Sequence, residues 1–222
     1  MQNLRTLALF AAALALAGCG AVPQVSRQSQ APATAPRPVV VNEEARMCLA
    51  NLGQTGSRFV PLPDRYYGGG CSAVGAVQLS AVQGDEAPMS VSNIGPVTCN
   101  TAQTFTGWAR YGVDRAARQI LGSPLQRIET MGSYACRNVA GTSRRSAHSQ
   151  AAAVDVSAFI LEDGRRISVA QAWQDGSAQE RAFLRTVHNS ACKRFGTVLG
   201  PDYNAAHRDH FHLEQGDGSY CR

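Results

Sequence analysis

The most regular pattern of apolar residues in the chain lies between residues 101 and 121. Apolar side chains recur there at spacings of three to five residues, which predicts a helix with one buried face. The pattern is formed by Phe105, Trp108, Val113, Ala116 and Ile120. Gly122 and Pro124 follow it directly, and both residue types favour the end of a helix.

Two further helices are predicted. One begins at Ser177, because Ser177 and Glu180 form a capping-box pattern ahead of an apolar face that includes Phe183 and Val187. The other is short and covers residues 44–52, at the start of the predicted folded region.

Five other segments predict strands, because runs of β-branched and apolar residues are bounded there by turn-forming residues. They cover residues 76–82, 125–134, 153–161, 166–169 and 211–214. Asp163 and Gly164 predict a hairpin turn, whereas Pro61, Pro63 and the glycines at 68–70 predict a loop ahead of Cys71. This order of elements predicts an α+β domain with a small, mostly antiparallel sheet flanked by helices.

The N-terminal residues 1–19 have the pattern of a targeting segment. Arg5 is the only charge before an apolar run at residues 7–17, which predicts a signal peptide rather than a membrane-spanning helix. Leu16-Ala17-Gly18-Cys19 resembles a bacterial lipobox, in which Cys19 is acylated after cleavage. The resemblance implies a lipid anchor in the outer membrane with the protein facing the periplasm, because Gly20 stands where lipoproteins of the inner membrane usually have an aspartate. An ordinary secreted protein is the alternative.

Residues 20–41 are rich in Ala, Pro, Gln, Ser and Val, with Arg27 and Arg37 as their only charges. This composition cannot bury enough apolar surface to fold, and it predicts a disordered tether. The folded domain is therefore expected at residues 42–222.

The charge of the chain and its distribution argue against nucleic acid as a partner. The chain has 21 Lys and Arg residues against 16 Asp and Glu residues, a net charge of +5, but the basic residues are scattered rather than collected in one stripe. We therefore expect no binding to nucleic acid. The domain is expected to act as a monomer.

The cysteines favour a disulfide framework. Of the 7 cysteines, the six other than Cys19 would enter an oxidising compartment, which predicts three disulfides. Six cysteines allow fifteen pairings, and pairing in sequence order is taken as the working hypothesis: Cys48–Cys71, Cys99–Cys136 and Cys192–Cys221.

Candidate chemistry is concentrated in two segments that hold four of the 5 histidines. The first contains His148 and Asp155, and the second contains His207, His210 and His212. Residues two apart in an extended segment point to the same face, so His210 and His212 can reach one site. Two imidazoles and a carboxylate are a typical three-ligand set for Zn²⁺, and zinc is the expected cofactor.

These motifs resemble a known family. The pattern S-x-H-x6-D followed by H-x-H is similar to the zinc D-alanyl-D-alanine carboxypeptidases and endopeptidases, which share a fold with hedgehog domains. More closely, the chain resembles the bacterial extensin-like C-terminal domain family, and the segments that carry this resemblance are residues 132–137, 146–155, 198–201 and 204–213.

The resemblance implies that His148, Asp155 and His212 bind zinc. It also implies that His210 stands beside the attacking water and that Arg137 stabilises the developing oxyanion. The peptidases usually have glycine where this chain has Ala151, so the loop between the first two ligands is expected to differ.

Other residues near these motifs have two interpretations each. Ser146, Arg144 and His207 are candidate substrate contacts, with Arg144 and its neighbour Arg145 suited to a carboxylate, although a solvated basic loop explains them equally well. Glu214 could orient a ligating imidazole or be a solvated acid. The two remaining residues have a preferred structural interpretation: Asp209 as a brace of its loop and His188 as a partly buried helix residue. A Ser146–His148–Asp155 triad is rejected, because no G-x-S-x-G motif surrounds the serine.

The function expected from these observations is a periplasmic zinc-dependent hydrolase of peptide bonds in peptidoglycan, of the D,D-peptidase or endopeptidase type. The alternative is a non-catalytic, zinc-containing lipoprotein that binds the cell wall or a polysaccharide, as hedgehog domains show that this fold need not be enzymatic. A disulfide-held structural protein without metal is the third hypothesis.

Overall fold

The computed structural model of the chain describes residues 43–222. The predicted signal peptide, Cys19 and the predicted tether lie outside the described residues. The described part of the chain contains four α-helices: α1 (Glu43–Gln54), α2 (Cys99–Trp108), α3 (Val169–Ala172) and α4 (Ala178–Cys192). Within these described residues, no helix is both long and apolar enough to cross a membrane.

The described region also contains twelve strands. They are β1 (Arg58–Pro61), β2 (Arg65–Gly68), β3 (Cys71–Ala73), β4 (Ala76–Gln83), β5 (Pro88–Ser92), β6 (Pro96–Thr98), β7 (Leu125–Gly132), β8 (Ala153–Leu161), β9 (Arg166–Ser168), β10 (Thr197–Leu199), β11 (Phe211–Glu214) and β12 (Tyr220–Cys221).

Ten of the strands form one sheet in the order β1-β4-β5-β7-β8-β11-β10-β12, with β6 also paired to β4 and β9 to β8. The pairs β5/β7 and β10/β12 are parallel, and the other pairs are antiparallel. The domain is therefore α+β with a mostly antiparallel sheet, as predicted. The prediction of a small sheet is wrong, because short strands at its edges enlarge it.

The predicted loop ahead of Cys71 is also partly ordered as a hairpin. Strands β2 and β3 pair as a separate two-stranded sheet. Gly69 and Gly70 close the turn between them with φ values of 55° and 81°. Glycine adopts this left-handed conformation without the steric cost that a side chain brings.

The predicted helix over residues 101–121 is one continuous helical segment in which α2 continues into two π-helical segments, Ala109–Asp114 and Ala117–Leu121. The segment ends at Gly122, as the sequence predicted, and Gly122 has the left-handed conformation. The helix packs closely on α4. A Cβ atom on Gly112 would clash with the side chain of Ser190 in α4.

The core lies between these helices and the sheet. Trp108, Phe105, Phe159 and Phe183 are fully buried in it, and the Trp108 indole N–H donates to the backbone carbonyl of Val187 at 2.9 Å. The capping box of Ser177 and Glu180 is present at the start of α4. Phe211, immediately before His212, is part of the same core, so the packing of β11 fixes the face on which His212 lies.

Three disulfides close the domain, but two of the predicted pairings are wrong. The structure joins Cys48 to Cys99 and Cys71 to Cys136, and it joins Cys192 to Cys221 as predicted. Pairing in sequence order failed because α1 packs on α2 and the β2–β3 hairpin lies against the loop after β7, which brings together cysteines distant in the sequence.

Candidate metal centre and adjoining cleft

Three donor atoms from three different segments meet on one side of the sheet. In the register between β8 and β11, His212 lies directly opposite Asp155, and its Nδ1 is 3.0 Å from Asp155 Oδ1. His148, on the turn before β8, places its Nε2 at 3.2 Å from Asp155 Oδ1 and 3.0 Å from His212 Nδ1. The structure thus brings the three residues predicted as metal ligands into one group.

The spacing and chemistry of this group fit zinc. Ligand distances of about 2.0–2.2 Å around a tetrahedral zinc ion place neighbouring donor atoms about 3.3 Å apart, close to the separations found here. Two imidazoles and one carboxylate are a common three-ligand set for a zinc ion that keeps a fourth position open. His148 and His212 are buried, with 2% and 6% of their surface exposed, so little water competes at their ring nitrogens.

The second nitrogen of each imidazole is held by an acceptor. His148 Nδ1–H donates to the backbone carbonyl of Ser133 at 3.1 Å, and His212 Nε2–H donates to Glu214 Oε2 at 3.2 Å. These acceptors leave His148 Nε2 and His212 Nδ1, the two nitrogens that face Asp155, as the atoms available to a metal ion. Such hydrogen bonds orient ligating imidazoles and make them better donors to a metal. Glu214 therefore has the orienting position that was one of its two interpretations.

Ala151, in the loop between His148 and Asp155, has the left-handed backbone conformation that glycine adopts without strain. Residues Ala147–Gln150 form a 3-10 turn, and Ala151 ends it in the left-handed region with φ 55°. An alanine in this conformation costs about 1–2 kcal/mol. The Ala151 N–H donates to the His148 carbonyl at 3.2 Å and its own carbonyl accepts from Thr98 N–H at 2.9 Å, which holds it there. The alanine is thus accommodated without displacing His148 from the group.

His210 lies beside the three donors and is paired with Asp209. Its Nδ1–H donates to Asp209 Oδ1 at 2.8 Å, while its Nε2 is 3.6 Å from Asp155 Oδ1. The sequence predicted Asp209 to brace its loop. In the structure Asp209 lies just ahead of β11, which begins at Phe211, and its carboxylate orients the imidazole of His210.

A cleft of about 430 Å³ opens next to this group. Seven residues singled out in the sequence line it together: Arg137, Arg144, Ser146, His207, His210, His212 and Glu214. His212 belongs to both the cleft and the donor group, so a molecule in the cleft would lie against the candidate metal centre.

The sequence did not identify the aromatic wall of the cleft. Tyr203 makes edge contacts with the rings of His207 and Tyr220, at centroid distances of 5.4 and 6.0 Å. His207 Nδ1–H donates to Asn204 Oδ1 at 2.8 Å. No motif marks the two tyrosines, because residues 203 and 220 meet only through the pairing of β12 with β10.

Charge in the site follows from these contacts. Although burial alone would raise the pKa of Asp155, hydrogen bonds from His148 and His212 hold it well below its usual range. Burial would lower the pKa of His212, but hydrogen bonds to Asp155 and Glu214 raise it to about 9. Burial, together with the neighbouring His210 and His212, lowers the pKa of His207 to about 4, so His207 is neutral near pH 7.

His188 forms a second cluster with Cys192 and Cys221. The two sulfur atoms are joined in a disulfide and are therefore not available as thiolate ligands. His188 itself is buried between the rings of Trp173 and Phe211. The prediction that His188 is a partly buried structural residue is thus consistent with its surroundings.

We expect zinc binding to the metal-free chain to strengthen as the pH rises. A ligating imidazole must be neutral, and the pKa of about 9 for His212 means that zinc must displace a proton from this ring at lower pH. The affinity should rise by up to about tenfold per pH unit below 9 and level off above it. Titration of the metal-free chain against a competing chelator at several pH values measures this slope.

Glu214→Gln is the matched variant for this measurement. Glutamine keeps an acceptor for the Nε2–H of His212 but removes the negative charge, so the pKa of His212 should fall and the affinity should level off at a lower pH. An affinity that stays constant between about pH 6 and 8 would contradict the assignment of His212 as a ligand.

Comparison with known proteins gives one match. The family model described as "Extensin-like protein C-terminus" matches residues 46–222. No curated protein matches the chain, and no solved structure matches it.

Proposed function

The chain belongs to the extensin-like protein C-terminus family, and from that premise we propose that it is a zinc-dependent hydrolase of amide bonds in the peptides of peptidoglycan. The observation that carries the proposal is the convergence of His148 Nε2, Asp155 Oδ1 and His212 Nδ1 within 3.0–3.2 Å of one another. This convergence lies beside an open cleft that a peptide can enter. The similarity of the motifs to zinc D-alanyl-D-alanine peptidases supports the choice of reaction and substrate.

His148, Asp155 and His212 would hold the metal. When bound, zinc would supply a Lewis acid that polarises a carbonyl and lowers the pKa of water. Asp155 remains ionised, and Glu214 and the Ser133 carbonyl keep the two imidazoles in the tautomers that ligation requires.

His210 is suited to accept the proton of the attacking water. Its Nδ1–H is occupied by Asp209, which leaves Nε2 as the basic nitrogen on the side of the donor group. The hydrogen bond from His210 holds the pKa of Asp209 below its usual value, so a carboxylate is present to stabilise the imidazolium. This pairing is the familiar arrangement of a general base oriented by a carboxylate.

Arg137 would stabilise the negative charge that develops on the carbonyl oxygen. It lines the cleft together with His210, and a fixed positive charge near a developing oxyanion lowers the barrier to its formation.

The cell envelope is the proposed location. Three disulfides within residues 43–222 favour an oxidising compartment. The lipobox-like residues at 16–19 would add a lipid anchor at Cys19 in the outer membrane, facing the periplasm.

The His210→Ala variant tests the proposal. It should retain zinc, because the three ligands remain, and should lose about 100-fold of the hydrolytic rate, because the proton acceptor is gone. Asp209→Asn should lose less, since the imidazole remains in place. Elemental analysis gives the zinc content, and mass spectrometry of digested, purified sacculi gives the rate of cleavage.

Two outcomes would contradict the proposal. Stoichiometric zinc without any cleavage by the wild-type chain would favour the non-catalytic wall-binding lipoprotein. Full activity of His210→Ala would contradict the role of His210 as the proton acceptor.

A further inference from the structure

A short hairpin in the loop after β7 determines which side chains face the cleft. Val139 N–H donates to the Arg144 carbonyl at 2.9 Å, and Ser146 N–H donates to the Arg137 carbonyl at 3.2 Å. Between these bonds, Asn138 forms an antiparallel bridge with Arg145. Side chains alternate between the two faces of such a pair.

The alternation sends two adjacent arginines in opposite directions. Arg137, Val139, Arg144 and Ser146 share one face, and all of them line the cleft. Arg145 lies on the other face, where its side chain covers Gly69 and Gly70 in the turn of the β2–β3 hairpin. From the sequence, Arg144 and Arg145 were equally suited to bind a carboxylate. Of the two, the hairpin gives only Arg144 access to the cleft.

The cleft has unpaired positive charge. Within residues 43–222, neither the Arg137 nor the Arg144 guanidinium makes an ion pair or a hydrogen bond. Arginines elsewhere commonly have acidic partners, such as Arg115 with Asp85 at 2.6 Å. Among the described residues, Glu214 is the only acidic one that lines the cleft, and its carboxylate already accepts a hydrogen bond from His212.

Arg144 lines the same cleft as His210 and His212. Because His212 also belongs to the group of metal donors, an anion held by Arg144 would share the cleft with the bond that is cleaved. A guanidinium matches the two oxygens of a carboxylate with two parallel N–H donors.

We propose that Arg144 is a substrate-binding residue that recognises a free carboxylate next to the scissile amide. This inference rests on the proposed function in taking a peptide as the ligand. The carboxylate could be the C-terminus of the peptide or an acidic side chain near the cleaved bond, because both have the same chemistry toward a guanidinium.

Binding measured on the zinc-loaded His210→Ala chain tests this inference separately from hydrolysis. Three synthetic stem peptides of peptidoglycan serve as probes: one with all carboxylates free, one with a C-terminal carboxamide and one with amidated side-chain carboxylates. Amidation of the recognised carboxylate should weaken binding by about 10-fold to 100-fold, as expected for a charged hydrogen bond. The amidated peptide that binds more weakly identifies which carboxylate Arg144 recognises.

Variants of the two neighbouring arginines complete the experiment. In the same His210→Ala background, Arg144→Gln should weaken binding of the free-carboxylate peptide by about 10-fold to 100-fold. Its binding of the peptide in which the recognised carboxylate is amidated should not change. Arg144→Lys should recover part of the affinity lost in Arg144→Gln. Arg145→Gln is the matched control and should bind like its parent.

The outcomes separate the two proposals. Equal binding of all three peptides, or equal losses for acid and amide in Arg144→Gln, would overturn the carboxylate assignment. If binding distinguished the acid from the amide peptide through Arg144 but the wild-type chain cleaved neither, the carboxylate subsite would be supported and the hydrolase proposal contradicted.

Discussion

Replacing Asp155 with alanine should release the zinc and reduce hydrolysis by about 10³-fold or more. The carboxylate lies between the two imidazoles, at 3.2 Å from His148 Nε2 and 3.0 Å from His212 Nδ1. Its loss removes the only anionic donor of the group and leaves two neutral nitrogens. Loss of a residue that is only hydrogen-bonded to a metal ligand typically lowers metal affinity or activity by about 10–100-fold. Loss of the ligand Asp155 itself should lower them further.

Elemental analysis of purified chains measures the first part of this expectation. His148→Ala and His212→Ala should behave like Asp155→Ala, whereas Asp163→Ala is a suitable control, because Asp163 lies in the hairpin turn and pairs with Arg165. Retention of zinc in Asp155→Ala and His212→Ala would refute the ligand assignment.

Loss of zinc should leave the domain folded. The core contains large side chains that are fully buried, among them Trp108, Phe105 and Phe159, and three disulfides restrict the unfolded chain. A domain of this size with such a core does not depend on a metal to fold. The circular dichroism spectrum of the Asp155→Ala chain should therefore match that of the wild type.

The long elements were predictable from sequence because each contains several repeats of its own pattern. Strand β8 has the predicted bounds, and the helix that begins as α2 ends at the predicted glycine. The short strands β6, β10 and β12 were missed, since two or three residues give no periodic pattern. These strands form through pairing with neighbours, and their addition makes the sheet larger than predicted.

Much of the candidate site was also visible in the sequence. The spacing of His148 and Asp155, and of His210 and His212, placed chemically suitable residues on neighbouring segments, and the structure brings them together. The pairing of Asp209 with His210 was not predicted, because it depends on the local conformation of the loop ahead of β11. Tyr203 and Tyr220 were not identified, because their contact depends on the pairing of β10 with β12.

Removing the Cys71–Cys136 disulfide should destabilise the domain and disturb the cleft at the same time. The bond closes a separation of 65 residues, for which restriction of the unfolded chain predicts a loss of about 4 kcal/mol, roughly a 1000-fold change in the unfolding equilibrium. Cys136 immediately precedes Arg137, which lines the cleft. Arg137 and Arg144 belong to the short hairpin after β7. The bond therefore attaches the start of this hairpin to the β2–β3 hairpin.

The Cys48–Cys99 bond supplies a matched control. It spans a similar separation of 51 residues but joins α1 to α2, neither of which contributes a residue to the cleft. The double variants Cys71→Ala/Cys136→Ala and Cys48→Ala/Cys99→Ala should therefore lose similar free energy of unfolding in denaturant titrations. Only the first should also lose hydrolytic activity when both are assayed at a temperature at which they are folded. If both variants lost the same fraction of activity, the position of Arg137 would not depend on the disulfide beside it, and the packing of the hairpin alone would hold the cleft.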